Sequence, residues 1–167
     1  MAIRKFFSWP TTRKEAQEFG PGKKDFVACS DCDAVYYDKS WKHGFEGGLK
    51  QENDTEKNIS FKVCPACQMR RDGQFEGELT LVGIPAGEKE GILNRVRNMG
   101  EKAQASDPLD RILSVKETGD TVRITTSENQ LALQIGKAVN KASKASTIES
   151  SFSRAESPMR VTVSWKQ

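Results

Sequence analysis

The chain contains the sequence Cys29-Ser-Asp-Cys32 and, after residues 33–63, the sequence Cys64-Pro-Ala-Cys67. These two Cys-x-x-Cys pairs account for all 4 cysteines of the protein. A two-residue gap allows a tight turn to aim both sulfurs at one ion, about 2.3 Å from each, and two such turns complete a tetrahedron. We therefore predict one structural zinc ion with Cys29, Cys32, Cys64 and Cys67 as its ligands.

The even cysteine count also leaves two alternatives open, a redox-active Cys-x-x-Cys pair and a set of unrelated buried thiols. In a reducing compartment, paired spacing of this kind favours a metal site over a disulfide framework. A redox motif normally lies at the start of a helix beside a strand, and no helical pattern follows Cys32. Four thiolates leave no open coordination position, so a catalytic zinc is disfavoured.

The chain has a single histidine, His43, in the sequence Trp-Lys-His-Gly. It could replace a cysteine as a metal ligand, or act as a general base. No serine, cysteine or carboxylate pair stands at a recognisable catalytic spacing from it, and glycine-rich phosphate loops and nucleophile-elbow motifs are absent from the sequence. We interpret His43 as a loop residue beside basic side chains that contacts phosphate, and we expect no enzymatic activity.

Composition limits the class of protein further. The 167 residues include 26 basic and 23 acidic side chains, a net charge of +3, and 36% apolar residues. This length suffices for one hydrophobic core plus a small metal module. No apolar run approaches the ~20 residues of a membrane helix, and residues 1–12 lack the apolar centre of a secretory signal. We expect a cytoplasmic protein with no membrane partner and no evident small-molecule substrate.

Three regions are predicted along the chain: a basic flexible arm at 1–25, a zinc-ribbon module at 26–77 and an α+β domain at 78–167. Basic side chains neutralise phosphates and exposed aromatic rings stack on bases, so their mixture in the first two regions favours RNA binding. The candidate RNA-binding residues are Arg4, Lys5, Arg13, Lys14, Lys23, Lys24, Lys39, Trp41, Lys42, His43, Arg70 and Arg71.

The third region alternates between strand and helix patterns. Apolar residues recur every three or four positions from Gly87 to Ala103, which predicts an amphipathic helix. Ser127 and Gln130 have the spacing of a capping box before a second helix. The full order is β-α-β-β-α-β with one extra strand, which is typical of a ferredoxin-like domain with an antiparallel sheet and two helices on one face. The predicted fold class is therefore α+β, a zinc ribbon followed by a ferredoxin-like domain.

One face of this sheet is expected to point away from the helices. Its side chains are basic or hydroxylated and lack the aromatic platform with which many RNA-binding sheets stack bases. This face therefore either contacts the backbone of structured RNA, docks a protein partner or is simply solvated. The side chains predicted on it are Arg111, Arg123, Thr125, Arg160, Thr162 and Ser164.

Three segments together resemble a known family. The first cysteine pair continues through Tyr36-Tyr37 to Ser40-Trp41, the second pair follows, and residues 113–138 have the sequence LSVKETGDTVRITTSENQLALQIGKA. These segments resemble the amino-terminal part of the nonsense-mediated-decay protein three family, whose members are export and maturation adaptors of the large ribosomal subunit. The sequence is most similar to small bacterial relatives of that family.

The resemblance covers roughly residues 26–145 and implies that the four cysteines are zinc ligands. It also implies association with ribosomal RNA (rRNA) or the large ribosomal subunit. Larger members of the family carry four Cys-x-x-Cys pairs, whereas this chain has two. We predict a non-catalytic, zinc-binding and RNA-binding factor that is associated with the ribosome and its biogenesis, acting through the zinc ribbon and the basic arm. The alternative is a protein–protein adaptor that docks a partner on the ferredoxin-like sheet.

Overall fold

The computed structural model describes residues 26–37, 39–44, 59–143, 145–151 and 158–166. These residues form two β-sheets and three α-helices, so the protein has the predicted α+β class. No helix in this described part of the chain is long and apolar enough to cross a membrane. Outside the described residues lie the predicted arm at 1–25 and its candidate RNA contacts, Arg4, Lys5, Arg13, Lys14, Lys23 and Lys24.

The first sheet has four short strands in the order β3-β2-β1-β4. Their bounds are β1 Phe26–Ala28, β2 Ala34–Tyr37, β3 Ser40–His43 and β4 Ile59–Phe61. The strands β1, β2 and β3 pair antiparallel, whereas β4 pairs with β1 in parallel. Because β1 and β4 run side by side in the same direction, Cys29 after β1 and Cys64 after β4 emerge at the same edge of the sheet.

The second cysteine pair begins a helix, α1, which spans Pro65–Asp72. Cys64 is the N-cap of this helix and Pro65 occupies its first turn. Gly73 follows its end with a φ of 65°, a left-handed conformation that favours glycine. The tight turn predicted at this pair is thus the first turn of a helix. Proline at the first helical position and glycine just past the end are the sequence signals that indicate this helix.

The second sheet has five strands in the order β6-β7-β5-β9-β8. The bounds of its elements are β5 Gly77–Val82, α2 Ala86–Ser106, β6 Ile112–Thr118, β7 Thr121–Thr126, α3 Asn129–Ala142, β8 Ser146–Ser151 and β9 Met159–Trp165. Along the chain the elements therefore follow the order β-α-β-β-α-β-β. The prediction of an antiparallel sheet is wrong at its centre, because β9 lies between β5 and β8 and pairs with β5 in parallel.

Both long helices pack on one face of the five-stranded sheet. Leu79 of β5 pairs with Ile124 of β7 on one side and with Val161 of β9 on the other, and all three side chains are buried. Burial of such side chains is the main favourable contribution to folding. The helices cover this row with apolar side chains from α2 and α3, namely Ile92, Val96, Leu131, Ile135 and Val139.

The start of α3 differs from the predicted capping box. The N-cap is Glu128, whose carboxylate accepts a hydrogen bond from the backbone N–H of Gln130. Ser127 is buried, and its hydroxyl donates to the carbonyl oxygen of Leu109 and accepts from the backbone N–H of Arg111. Leu109 lies in the turn after α2. Ser127 therefore binds the connection between α2 and β6.

The outward face of the sheet has fewer free charges than predicted. Arg123 and Arg160 are exposed as expected, but Glu78 lies between them, with its Oε2 2.8 Å from Nε of Arg123 and its Oε1 4.0 Å from Nε of Arg160. Thr125 is buried and bonds to the hydroxyl of Ser114. Thr162 and Ser164 are partly exposed. Arg111 does not belong to this face, because it precedes β6 and is buried against the cysteines.

Candidate metal centre

The four cysteine sulfurs converge on one point. All four Sγ atoms lie within 4.8 Å of one another, and those of Cys32 and Cys64 are 3.7 Å apart. A tetrahedron with metal–sulfur bonds of about 2.3 Å has sulfur–sulfur edges of roughly 3.8 Å. The thiols are free rather than joined as disulfides. The predicted ligands Cys29, Cys32, Cys64 and Cys67 can therefore hold one metal ion.

Backbone N–H groups point at two of the sulfurs. Sγ of Cys29 accepts from the N–H of Asp31 at 3.4 Å and from the N–H of Cys64 at 3.2 Å. Sγ of Cys64 accepts from the N–H of Cys67 at 3.4 Å, the geometry of an N-cap at the start of α1. Hydrogen bonds from N–H groups and the positive end of a helix both stabilise a thiolate over a thiol. These N–H groups therefore favour the thiolate form of Cys29 and Cys64.

Burial and mutual repulsion oppose ionisation of two of the four thiols. Burial raises the pKa of Cys67 to about 11 and that of Cys64 well above its usual range, and the neighbouring thiolates add to both increases. Burial also opposes ionisation of Cys29, but the N–H groups of Cys64 and Asp31 outweigh it and lower the pKa to about 7. Four thiolates at this spacing repel one another, and a divalent metal ion between them would offset part of that repulsion.

Apolar side chains enclose the sulfurs. The cluster around them consists of Ala34, Tyr36, Trp41, Ala66 and Leu109. The rings of Tyr36 and Trp41 meet edge to face, with centroids 5.6 Å apart. Trp41 is buried and packs within this cluster, so its ring is not displayed at the surface, and its role as an RNA contact stays a prediction.

His43 lies in β3 rather than in a loop, and protein groups occupy both of its ring nitrogens. Nδ1 is 3.2 Å from Oδ2 of Asp33, and Nε2 is 2.5 Å from the carbonyl oxygen of Gln104 in α2. His43 is not among the residues whose ligand atoms gather at the metal centre, as far as the structure describes them. In this structure His43 connects β3 with α2, and contact of its ring with phosphate stays a prediction.

The remaining predicted RNA contacts beside the cysteines lie at the surface. Lys42 is exposed, and its Nζ is 5.6 Å from the ring centroid of the exposed Tyr37. Lys39 lies in the turn between β2 and β3 with a φ of 63°. Arg70 and Arg71 are exposed in the last turn of α1, and Arg71 forms an ion pair with Asp31. Lys39, Lys42 and Arg70 thus present charge to solvent on the first sheet and on α1.

Arg111 is the residue at this centre that the sequence pattern misplaces. Its side chain is 2% exposed. Nη1 lies 3.7 Å from Sγ of Cys67, and Nη2 lies 3.7 Å from Sγ of Cys32 and also donates to the carbonyl oxygen of Pro108. Burial opposes its charge, but the hydrogen bond to Cys32 and the thiolate charges outweigh it and raise its pKa. No local motif signals this role, because the contacts span 44 and 79 positions of sequence.

The comparisons with protein-family models, curated proteins and solved structures find no match to this chain.

Proposed function

We propose that the protein is a non-catalytic RNA-binding factor whose first sheet and α1 are held together by one structural zinc ion. The observation that carries this proposal is the convergence of four cysteine sulfurs within 4.8 Å of one another. Four thiolates fill the coordination sphere of zinc and leave no position for a substrate or an activated water. Soft sulfur ligands in tetrahedral geometry favour zinc over magnesium or calcium. The site therefore suits a structural role better than a catalytic one.

The surface around the centre supports nucleic acid as the partner. Lys42 lies over the ring of Tyr37, and Arg70 is exposed at the end of α1. Exposed cations beside an exposed aromatic ring combine phosphate neutralisation with base stacking. On the outward face of the five-stranded sheet, by contrast, Glu78 offsets Arg123 and Arg160. We therefore assign RNA binding to the metal module, which consists of the first sheet, the four cysteines and α1, and not to the five-stranded sheet.

The class of RNA comes from the family resemblance. The cysteine pairs and the segment 113–138 resemble a family that acts on the large ribosomal subunit, so rRNA within that subunit is the proposed ligand. The competing hypothesis, a protein–protein adaptor that docks its partner on the five-stranded sheet, rests on the mutual pairing of the charges on that face. It predicts that a partner protein stays bound after nuclease treatment and at high salt.

Metal analysis of the purified full-length chain tests the first half of the proposal. We expect one zinc ion per chain, and its loss in Cys64→Ser because a fully buried ligand is removed. The control is Ser30→Ala, an exposed position within the first cysteine loop, which should keep the zinc. A wild-type chain without metal, or a Cys64→Ser variant with full zinc content, would refute the metal site.

A salt titration tests the second half, with deproteinised large-subunit rRNA as the probe. Binding should weaken steeply between about 50 and 200 mM salt because phosphate contacts release counterions. The double variant Lys42→Ala/Arg70→Ala should bind less tightly, with a logarithmic salt slope smaller by about 1–2. The matched control removes the same charge from exposed positions of α3, as Lys137→Ala/Lys141→Ala. Equal losses of rRNA affinity in the two double variants would show non-specific charge attraction. Absence of rRNA binding by the wild-type chain would refute RNA recognition.

A further inference from the structure

A guanidinium group is buried beside the sulfurs, and no carboxylate in the described part of the chain contacts it. Arg111 is 2% exposed, and among the described residues the polar contacts of its side chain are the sulfurs of Cys32 and Cys67 and the carbonyl oxygen of Pro108. Its Nε is buried and has no hydrogen-bond partner there. An arginine charge removed from water needs a compensating negative charge. The cysteine sulfurs are the groups positioned to supply it.

The charge balance of a loaded centre explains this arrangement. A divalent metal ion with four thiolates carries a net charge of about −2. A buried anion of that size is unfavourable by itself, and one adjacent guanidinium reduces it to about −1. The two terminal nitrogens of the Arg111 guanidinium contact Cys67 and Cys32, one cysteine from each pair. Such bidentate contact also orients the sulfurs, in the way that groups behind metal ligands commonly do.

We propose that Arg111 is the charge partner of the metal centre and that it couples metal binding to attachment of the metal module on the five-stranded sheet. This inference rests on the metal site of the proposed function and goes further, because it assigns a residue outside the metal module to that site. Arg111 directly precedes β6. It therefore joins the sulfurs to the edge strand of the second sheet.

Further contacts beside Arg111 attach the connection between α2 and β6 to the metal module and to the start of α3. Leu109 packs among the side chains around the cysteines. Its carbonyl oxygen accepts from Ser127, whose hydroxyl also accepts from the N–H of Arg111. The connection between α2 and β6 is thus held on one side by the metal module and on the other by the start of α3. Because coupling between two events is reciprocal, metal binding should stabilise this connection as much as the connection stabilises bound metal.

Competition between the full-length protein and a chelator for zinc tests the charge partnership. Arg111→Met keeps the length of the side chain but removes its charge, and the affinity for zinc should fall about 10- to 100-fold. Arg111→Lys keeps the charge but lacks the fork, so it should show a smaller but measurable loss. Arg123→Met, an exposed arginine on β7, is the matched control and should leave affinity unchanged.

Amide hydrogen exchange tests the coupling. Removal of zinc from the wild type should increase exchange in residues 109–115, and this increase should shrink in Arg111→Met. Zinc affinity within twofold of wild type in Arg111→Met overturns the inference, and if that variant does not fold, the same result in Arg111→Lys overturns it. A wild-type chain that takes up no zinc refutes the proposed metal site instead, so the two failures are distinguishable.

Discussion

Nε2 of His43, at the end of β3, lies 2.5 Å from the backbone carbonyl oxygen of Gln104 in the last turn of α2. The last four carbonyl groups of a helix have no partner within the helix. The imidazole therefore donates to one of these carbonyls from a different sheet. Together with Arg111, this contact holds the metal module against the end of α2 and the start of β6.

Replacement of His43 by alanine should weaken this attachment. The hydrogen bond to Gln104 is lost and its carbonyl loses a partner, so the free energy of unfolding of the protein should fall by about 1 kcal/mol. Urea denaturation measures the change. Lys42→Ala, at the adjacent exposed position of β3, is the control and should change stability by less than about 0.5 kcal/mol. Equal effects of the two substitutions would contradict a specific role for His43.

The core of the second sheet makes a matched pair of valine substitutions possible. Val163 of β9 is 0% exposed, whereas Val115 of β6 is 45% exposed. Val163→Ala should lower the free energy of unfolding by about 1–3 kcal/mol, because apolar burial is lost and a cavity remains. Val115→Ala should cost less than about 0.5 kcal/mol. Similar losses at both sites in chemical denaturation would contradict the burial of β9.

Alanine substitution of two helical glycines should change the free energy of unfolding in opposite directions. A Cβ on Gly136 of α3 would stand 2.7 Å from Cγ1 of Val161, whereas a Cβ on Gly91 of α2 would meet nothing within 4 Å. Gly91→Ala should raise the free energy of unfolding by about 0.5–1 kcal/mol through helix propensity. Gly136→Ala should lower it by about 1–3 kcal/mol because of overpacking. Stabilisation by Gly136→Ala would mean that α3 lies farther from β9.

Asp110 makes stability depend on pH. Burial, and then the charges of Asp107 and Glu128, raise its pKa from 3.8 to about 6. A carboxyl whose pKa is higher in the folded state favours folding when protonated, so its contribution is lost as the pH rises from about 4 to 6. Asp110→Asn should therefore stabilise the protein at pH 7, by about 1 kcal/mol after allowance for solvent screening. This gain should disappear below pH 4.

Thermal unfolding between pH 4 and pH 7 measures that difference. Asp120→Asn, in the exposed turn between β6 and β7, is the matched control for the exchange of an aspartate for an asparagine. A gain for Asp110→Asn that is the same at pH 4 and pH 7 would show that its origin is not the carboxyl charge.

Much of the secondary structure is predictable from local pattern. The spacing of apolar residues predicts α2, α3 and the strand alternation of Val161, Val163 and Trp165, because these features depend on neighbours three, four or two positions apart. The missed helix α1 also carries local signals, in Pro65 and Gly73. The order of strands has no such signal. Alternation in β9 shows which side chains face the core, but not that this strand pairs with β5 in parallel.

For the candidate metal centre, the sequence by itself indicated which four cysteines come together, because a two-residue spacing is enough to aim two sulfurs at one ion. Only the tertiary structure decided which residues surround them. Trp41 is buried, His43 binds Gln104 and Arg111 contacts Cys32 and Cys67. The physical reason is distance along the chain. These contacts form only when both sheets have folded and packed, and a local sequence pattern does not predict that packing.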